Sequence, residues 1–286
     1  GLLGPNGAGK TTTIKILATL LLPDSGDAYI EGFHVVKEAS EVRKRIGIML
    51  TVERGFYGKL TGRENLEFFA ALYGLERETA NKRIKWLAEV LELDKLGAMD
   101  KLFEEFSLGM RARLALARAL LTDAPVLLLD EPTLGLDPLS ARKIRELVKQ
   151  LAKENGKAVL YTSHNMFEVE LVCDRIIMLN RGLVIAEGTP EELKSLVPKL
   201  KTVKVVLRGD ASAVRGVLDD LGAKYSIVEA QHPDLVEVNV VVERAEDVVP
   251  KLIESYVRRG VEIVNMHVEE PSLEDVFVYL AQGAKT

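Results

Sequence analysis

The segment Gly4-Pro5-Asn6-Gly7-Ala8-Gly9-Lys10-Thr11 puts glycines, one lysine and one hydroxyl at the spacing G-x-x-x-x-G-K-[ST]. Glycines let successive backbone N–H groups curl around phosphate oxygens. A helix starting behind them adds its positive N-terminal end. Lys10 is a mobile point charge that can reach β- and γ-phosphates, and the hydroxyl of Thr11, followed by Thr12, is placed to ligate Mg²⁺. This is the chemistry of gripping a nucleoside triphosphate.

A second chemical group lies downstream. Val126-Leu127-Leu128-Leu129 is an apolar run that ends in two adjacent acids, Asp130 and Glu131. An acid at a strand end suits Mg²⁺ binding, directly or through water. The next acid could take a proton from an attacking water. Taken alone, the pair could also be a strand terminus with a polar cap; a phosphate loop in the same chain favours the chemical reading.

The elements that must position these groups alternate. Gly1-Leu2-Leu3 reads as the end of a buried strand, and Thr11 to Leu22 as a helix. Helical spacing recurs in Arg63 to Tyr73, Thr79 to Leu91 and Ala112 to Leu121. Val126 to Leu129 is a strand, Ala141 to Glu154 a helix, Ala158 to Thr162 a strand, Asn165 to Val172 a helix and Arg175 to Leu179 a strand. Strands alternating with helices imply α/β architecture with a mainly parallel sheet. After about residue 200 the order becomes β-α-β-β-α-β, that of a ferredoxin-like module. Trp86 reads as a packing residue of its helix, Cys173 as a small buried hydrophobe.

Charge supports two units. The chain of 286 residues carries 38 Lys+Arg and 43 Asp+Glu, net −5. The excess acid falls entirely after Lys199. The expected domains are 1–198 and 199–286. Net acidity argues against a nucleic-acid binder driven by bulk charge. One cysteine excludes a disulfide framework. No apolar run approaches the 18 or more residues of a membrane span, so a membrane role needs a separate spanning partner.

Phe106-Ser107-Leu108-Gly109-Met110, Gly135-Leu136-Asp137 and Thr162-Ser163-His164 complete an ordered set with the two sites above. These five elements resemble the ATP-binding-cassette ATPases. The resemblance implies an α/β nucleotide-binding domain with a helical subdomain, followed here by the small α+β domain. It implies ATP and Mg²⁺ as ligands. Gly4 to Thr12 matches the phosphate loop, and Asp130 with Thr11 the Mg²⁺ site. Glu131 matches the general base, and His164 the residue that contacts the γ-phosphate and orients water. Ser107 and Gly109 match the signature that binds the γ-phosphate held by the other subunit; Asp137 matches the loop that couples the two subunits. The implied working unit is a dimer, of identical chains or close paralogues, with two ATP at its interface. A polytopic permease is the implied partner, with the chain peripheral on the cytoplasmic face of the membrane and no nucleic acid involved.

Departures from the family are specific. Leu108 and Met110 stand where it usually has Gly and Gln. The Ser-x-Gly-Met form, with Pro271-Ser272-Leu273-Glu274-Asp275-Val276-Phe277 near the C-terminus, resembles the ABC-2 type exporter subset. A Gln usually follows the strand Ile46 to Leu50; here Thr51-Val52-Glu53-Arg54 follows, and Thr51 or Glu53 could supply an oxygen ligand instead. The family has strands before the phosphate loop, so a start at Gly1 reads as a partial chain. Competing readings are an importer ATPase with a sensing C-terminal domain and a soluble cassette ATPase.

Overall fold

Leu2 and Leu3 are buried and form strand β1, directly before the glycine-rich loop. The computed structural model describes residues 1–50, 55–154, 156–197, 201–209, 211–220, 224–229 and 234–283. Its contacts divide it into two units, Gly1–Glu187 and Gly188–Thr286. In the first, β1 leads to α1 (Lys10–Leu17), β2 (Tyr29–Ile30), β3 (Phe33–His34), α2 (Ala39–Arg43) and β4 (Ile46–Met49). A helical stretch follows: α3 (Gly62–Leu72), α4 (Arg77–Val90), a 3₁₀ turn at Phe103–Glu105 and α5 (Leu108–Leu120). Then come β5 (Val126–Asp130), α6 (Pro138–Lys153), β6 (Ala158–Ser163), α7 (Met166–Val172), β7 (Ile176–Asn180) and β8 (Leu183–Gly188).

The strands form one sheet in the order β4-β5-β6-β1-β7-β8. The pairs β4–β5, β5–β6, β6–β1 and β1–β7 are parallel. A parallel sheet covered on both faces needs apolar residues on both faces, and β5 shows this. Leu127 and Leu129 join a core built with α3 to α6, while Leu128 joins another with Ile14 of α1 and Val42 of α2. Adjacent residues of one strand thus feed opposite cores. The topology brings the carboxyl ends of β1, β5 and β6 side by side, where α/β sheets bind ligands.

Helix α1 stops earlier than its apolar pattern suggests. Thr19 takes a left-handed φ of 62°, and Leu20, Leu21 and Leu22 are exposed. Two elements have no periodicity to announce them: α2 is five residues long, and β8 exposes Leu183 and Val184. The β7–β8 turn, Arg181-Gly182, has both φ positive, as a tight hairpin requires. Trp86 lies on the exposed side of α4 with the Arg83 guanidinium 4.5 Å above its ring. Cys173 is half-buried against the main core, and burial pushes its thiol pKa up.

Glu92, just past α4, ties the helical stretch to the sheet. It accepts from Lys143 of α6 at 2.8 Å and from buried Arg113 of α5 at 3.2 Å. The Lys143 hydrogen bond, reinforced by its charge and by Lys95 and Arg113, holds the Glu92 carboxyl below the usual range against the opposing effect of burial. A lowered folded-state pKa stabilises above the unfolded value and is lost as pH falls through the folded one. Glu92→Gln should therefore lower Tm by about 1–3 °C at pH 7. That difference should begin to shrink as pH falls below about 4 and vanish below the folded-state pKa, as thermal melts of both proteins across pH would show.

The second unit contains α8 (Pro190–Lys194), β9 (Lys201–Arg208), α9 (Ala211–Asp220), β10 (Lys224–Glu229), β11 (Leu235–Val242), α10 (Ala245–Arg258), β12 (Glu262–Glu269) and α11 (Leu273–Gly283). Its sheet runs β10-β11-β9-β12 with every pair antiparallel, which is the ferredoxin-like arrangement. Val203, Val205 and Leu207 of β9 and Val238, Val240 and Val242 of β11 pack under Val217, Leu218, Leu252 and Tyr256. The expected boundary between 198 and 199 lies outside the described residues. The units divide after Glu187 because α8 packs against α11 of the second one.

Candidate active site

The loop between β1 and α1 is built to present backbone N–H groups. Gly9 caps α1 with φ 107°, a conformation that L side chains rarely adopt, and no side chain caps the helix. The first N–H groups of α1 therefore keep no intrahelical partner and face an anion site. Gly182 N–H donates to Ala8 O at 3.0 Å and pins the loop to the β7–β8 turn. Lys10 is buried; its ammonium donates to Gly4 O at 2.6 Å and Pro5 O at 3.2 Å. A cavity of about 390 Å³ lies here, lined by Pro5 to Thr12 together with Glu131, Leu134 and His164.

The two acids are oriented by one threonine. Asp130 ends β5 opposite Thr162 of β6. Thr162, fully buried, donates from Oγ1 to Asp130 Oδ1 at 2.6 Å and accepts from Glu131 N–H at 3.0 Å. Thr11 Oγ1 donates to the other Asp130 oxygen at 2.8 Å. The chain then turns at Glu131, whose φ of 51° is left-handed for a non-glycine residue. Such strain persists only where the surroundings over-determine it, and it concentrates at functional sites. The turn carries the Glu131 carboxylate towards Lys10 Nζ, 3.5 Å away, and His164 Nδ1, 2.7 Å away. An ionised carboxylate only accepts, so Nδ1 carries the proton and Nε2 remains available. His164 stays about half exposed.

The structure thus brings together the phosphate loop, Lys10, Thr11, Asp130, Glu131 and His164. Thr11 and Asp130 form a hard-oxygen pair suited to Mg²⁺, an ion that takes one or two protein oxygens and fills its octahedron with phosphate and water. Ser107, Gly109 and Asp137 do not line this cavity. Ser107 caps α5, accepting from Met110 N–H at 3.3 Å. Asp137 caps α6, accepting from Leu139 N–H and Ser140 N–H at 3.0 and 2.9 Å. The hydrogen bond to Ser140, with the backbone donors, holds its carboxyl below the usual range. Leu108 packs against Gly135, where a Cβ would run into Leu108 Cδ2; the leucine in the signature is matched by a glycine in the following loop. Met110 is buried in the main core. Thr51 and Glu53 lie outside the described residues.

A family model described as "ABC transporter" matches residues 1–134, and one described as "ATP-binding protein DrrA1-3-like, C-terminal domain" matches residues 188–281. The linearmycin resistance ATP-binding protein LnrL of Bacillus subtilis (strain 168) is 38% identical over 282 residues, covering 98% of this chain and 88% of that protein. The chain belongs to the ABC transporter ATPases. The daunorubicin resistance ATP-binding protein DrrA3 of Streptomyces coeruleorubidus is 36% identical over 286 residues, covering 98% of this chain and 86% of that one. Among solved structures, the dimeric post-hydrolysis state of the cassette MJ0796 bound to ADP and Pi matches with TM-score 0.60 and 30% identity, covering 66% of this chain and 83% of that one. The expected fold class holds, with α3 to α5 as the helical subdomain and the ferredoxin-like unit as the DrrA-type addition. This ABC ATPase is an ATP-binding and ATP-hydrolysing subunit of an ABC-2 type exporter.

Three residues beside the site escape a motif reading of an ABC ATPase: Thr162, Thr133, whose Oγ1 donates to Glu168 Oε1, and Glu168 itself. Thr162 and Thr133 stand within or beside quoted motifs, but their hydroxyls gain meaning only once β5 and β6 are paired. Glu168 carries a helix-compatible acid that nothing in the sequence marks as buried. The one available signal for Thr162 is a polar residue at the end of an otherwise apolar strand.

Proposed function

We propose that this ABC ATPase hydrolyses MgATP at two composite sites in a dimer and drives a separate polytopic permease from the cytoplasmic side of the membrane. The observation that carries this is the division of the catalytic set. Lys10, Asp130, Glu131 and His164 share the phosphate-loop region, while Ser107 and Gly109, at a second helix N-terminus, line no part of that cavity. A signature set apart from its own chain's phosphate loop is available to a partner's nucleotide. Among the described residues no helix is long and apolar enough to cross a membrane, which supports a separate spanning subunit. Relatives named for linearmycin and daunorubicin resistance support a small antibiotic-like cargo.

In this scheme the loop N–H groups, Lys10 and the partner's Ser107 helix end surround the γ-phosphate. Thr11 and Asp130 would hold Mg²⁺, which supplies charge neutralisation on the phosphates. Glu131 takes a proton as water attacks the γ-phosphorus; the bond from phosphorus to the β–γ bridging oxygen breaks, and ADP leaves. His164, fixed by Glu131 at Nδ1, points its other nitrogen at the phosphate and water.

Asp130→Asn tests the metal assignment. It keeps the shape but removes the charge, so the Mg²⁺ concentration for half-maximal ATPase activity should rise at least tenfold, as a Mg²⁺ titration would show. Unchanged demand would remove Asp130 from the metal site. The exporter assignment is tested by extracting membranes holding the tagged natural protein in mild detergent. Recovery of a polytopic subunit with it is expected; an active ATPase with no membrane partner would overturn it.

A further inference from the structure

We infer that Glu168, which no motif marks, is a positioning residue for hydrolysis: its buried carboxylate clamps the backbone segments carrying Glu131 and His164 in working register. The inference rests on the roles given above to those two residues. Glu168 lies on α7, only 5% exposed. Its Oε1 accepts from Thr133 Oγ1 and from Tyr161 OH, the latter at 2.9 Å. Its Oε2 accepts from Ser163 Oγ at 2.9 Å. Arg145 of α6 completes the set, 3.4 Å from Oε1. Thr133 is two residues past Glu131, and Ser163 directly precedes His164. One carboxylate therefore holds both ends of the Glu131–His164 contact, and through Arg145 it also reaches the helix capped by Asp137.

The chemistry suits an ionised acid at this point. Every group aimed at Glu168 is a donor. Burial, and then the Glu168 charge, push the Tyr161 phenol pKa up, so Tyr161 stays a donor. Burying a carboxylate is costly unless it is fully hydrogen-bonded, and a helix–sheet contact made only for packing would be served by apolar side chains. What the acid adds is a fixed geometry between β6, the turn after β5 and α7.

Glu168→Gln preserves shape, removes the charge that Arg145 faces and reverses one leg. Its amide oxygen can still accept from Thr133 and Tyr161. Its NH₂ meets Ser163 Oγ, which must give up donating there and which already accepts from Asn165 N–H at 3.0 Å. The leg that turns round, and loses its charge assistance, is the one next to His164. The test compares Glu168→Gln, Ser163→Ala and His164→Ala, alone and in pairs, by steady-state kinetics, single-turnover rates and thermal melts. Both hub variants should lower kcat at least tenfold, leave KM for ATP within about twofold and keep cooperative melts. Added to His164→Ala, Glu168→Gln should cost less than about twofold, since residues acting through one another are not additive. If Glu168→Gln misfolds, Ser163→Ala carries the same comparison. A full multiplicative loss on top of His164→Ala, or an unchanged kcat in the hub variants, would overturn the positioning role alone. An unchanged kcat in His164→Ala would overturn the assignment of His164, and the positioning role with it.

Discussion

Glu131→Gln should lower the ATPase rate by about 10²–10⁴ while leaving ATP binding within a fewfold of wild type. The reasoning is local. Gln keeps the shape at the left-handed turn and can still accept from His164 Nδ1, so the geometry around Thr162 and His164 survives. It cannot take the proton of an attacking water. It also removes the negative charge 3.5 Å from Lys10, which frees the ammonium for phosphate and offsets any loss of binding. If ATP bridges two chains, a variant that binds but does not hydrolyse should accumulate as a dimer with ATP and Mg²⁺. Single-turnover hydrolysis and light scattering would read the two effects separately. A variant that keeps hydrolysing at more than a tenth of the wild-type rate would remove Glu131 as base.

Much of this site is legible before any coordinates. The glycine spacing and Lys10 determine the phosphate loop because backbone geometry there demands those residue types. Asp130 and Glu131 follow from an apolar strand ending in acid. The β-α-β-β-α-β order of the second unit follows from clean alternation such as Val236, Val238, Val240 and Val242. The residues that hold the chemistry in place are less legible. Thr162 orients both acids, yet its partner Asp130 is 32 positions away, and only the β5–β6 register joins them. Glu168 presents the same difficulty: on a helix an acid usually means a solvated face, and its burial arises from α7 packing over β6. Leu108 looks like a flaw in the signature until Gly135 is seen to make room for it. In each case a motif names what touches the ligand, while tertiary pairing determines what positions it.

Lys10→Ala should weaken ATP binding by about 30- to 1,000-fold. The ammonium is buried and already desolvated, and its bonds to phosphate are charge-assisted; a net loss of about 2–4 kcal/mol, from one strong bond or two weaker ones at about 1.5–3 kcal/mol each, gives that range. The variant should also fail to hydrolyse, because Glu131 then faces the triphosphate without the ammonium beside it. Ser107→Glu should be inactive for a different reason, since it puts negative charge where the partner's γ-phosphate would lie. These two inactive proteins make a decisive pair. In a dimer with composite sites, a Lys10→Ala chain joined to a Ser107→Glu chain has one site with both defects and one with neither. Subunit exchange in an equal mixture makes about half the dimers mixed, so about a quarter of all sites are intact, and hydrolysis should return to roughly that share. If each chain completed its own site, every site in the mixture would stay defective and no activity would reappear.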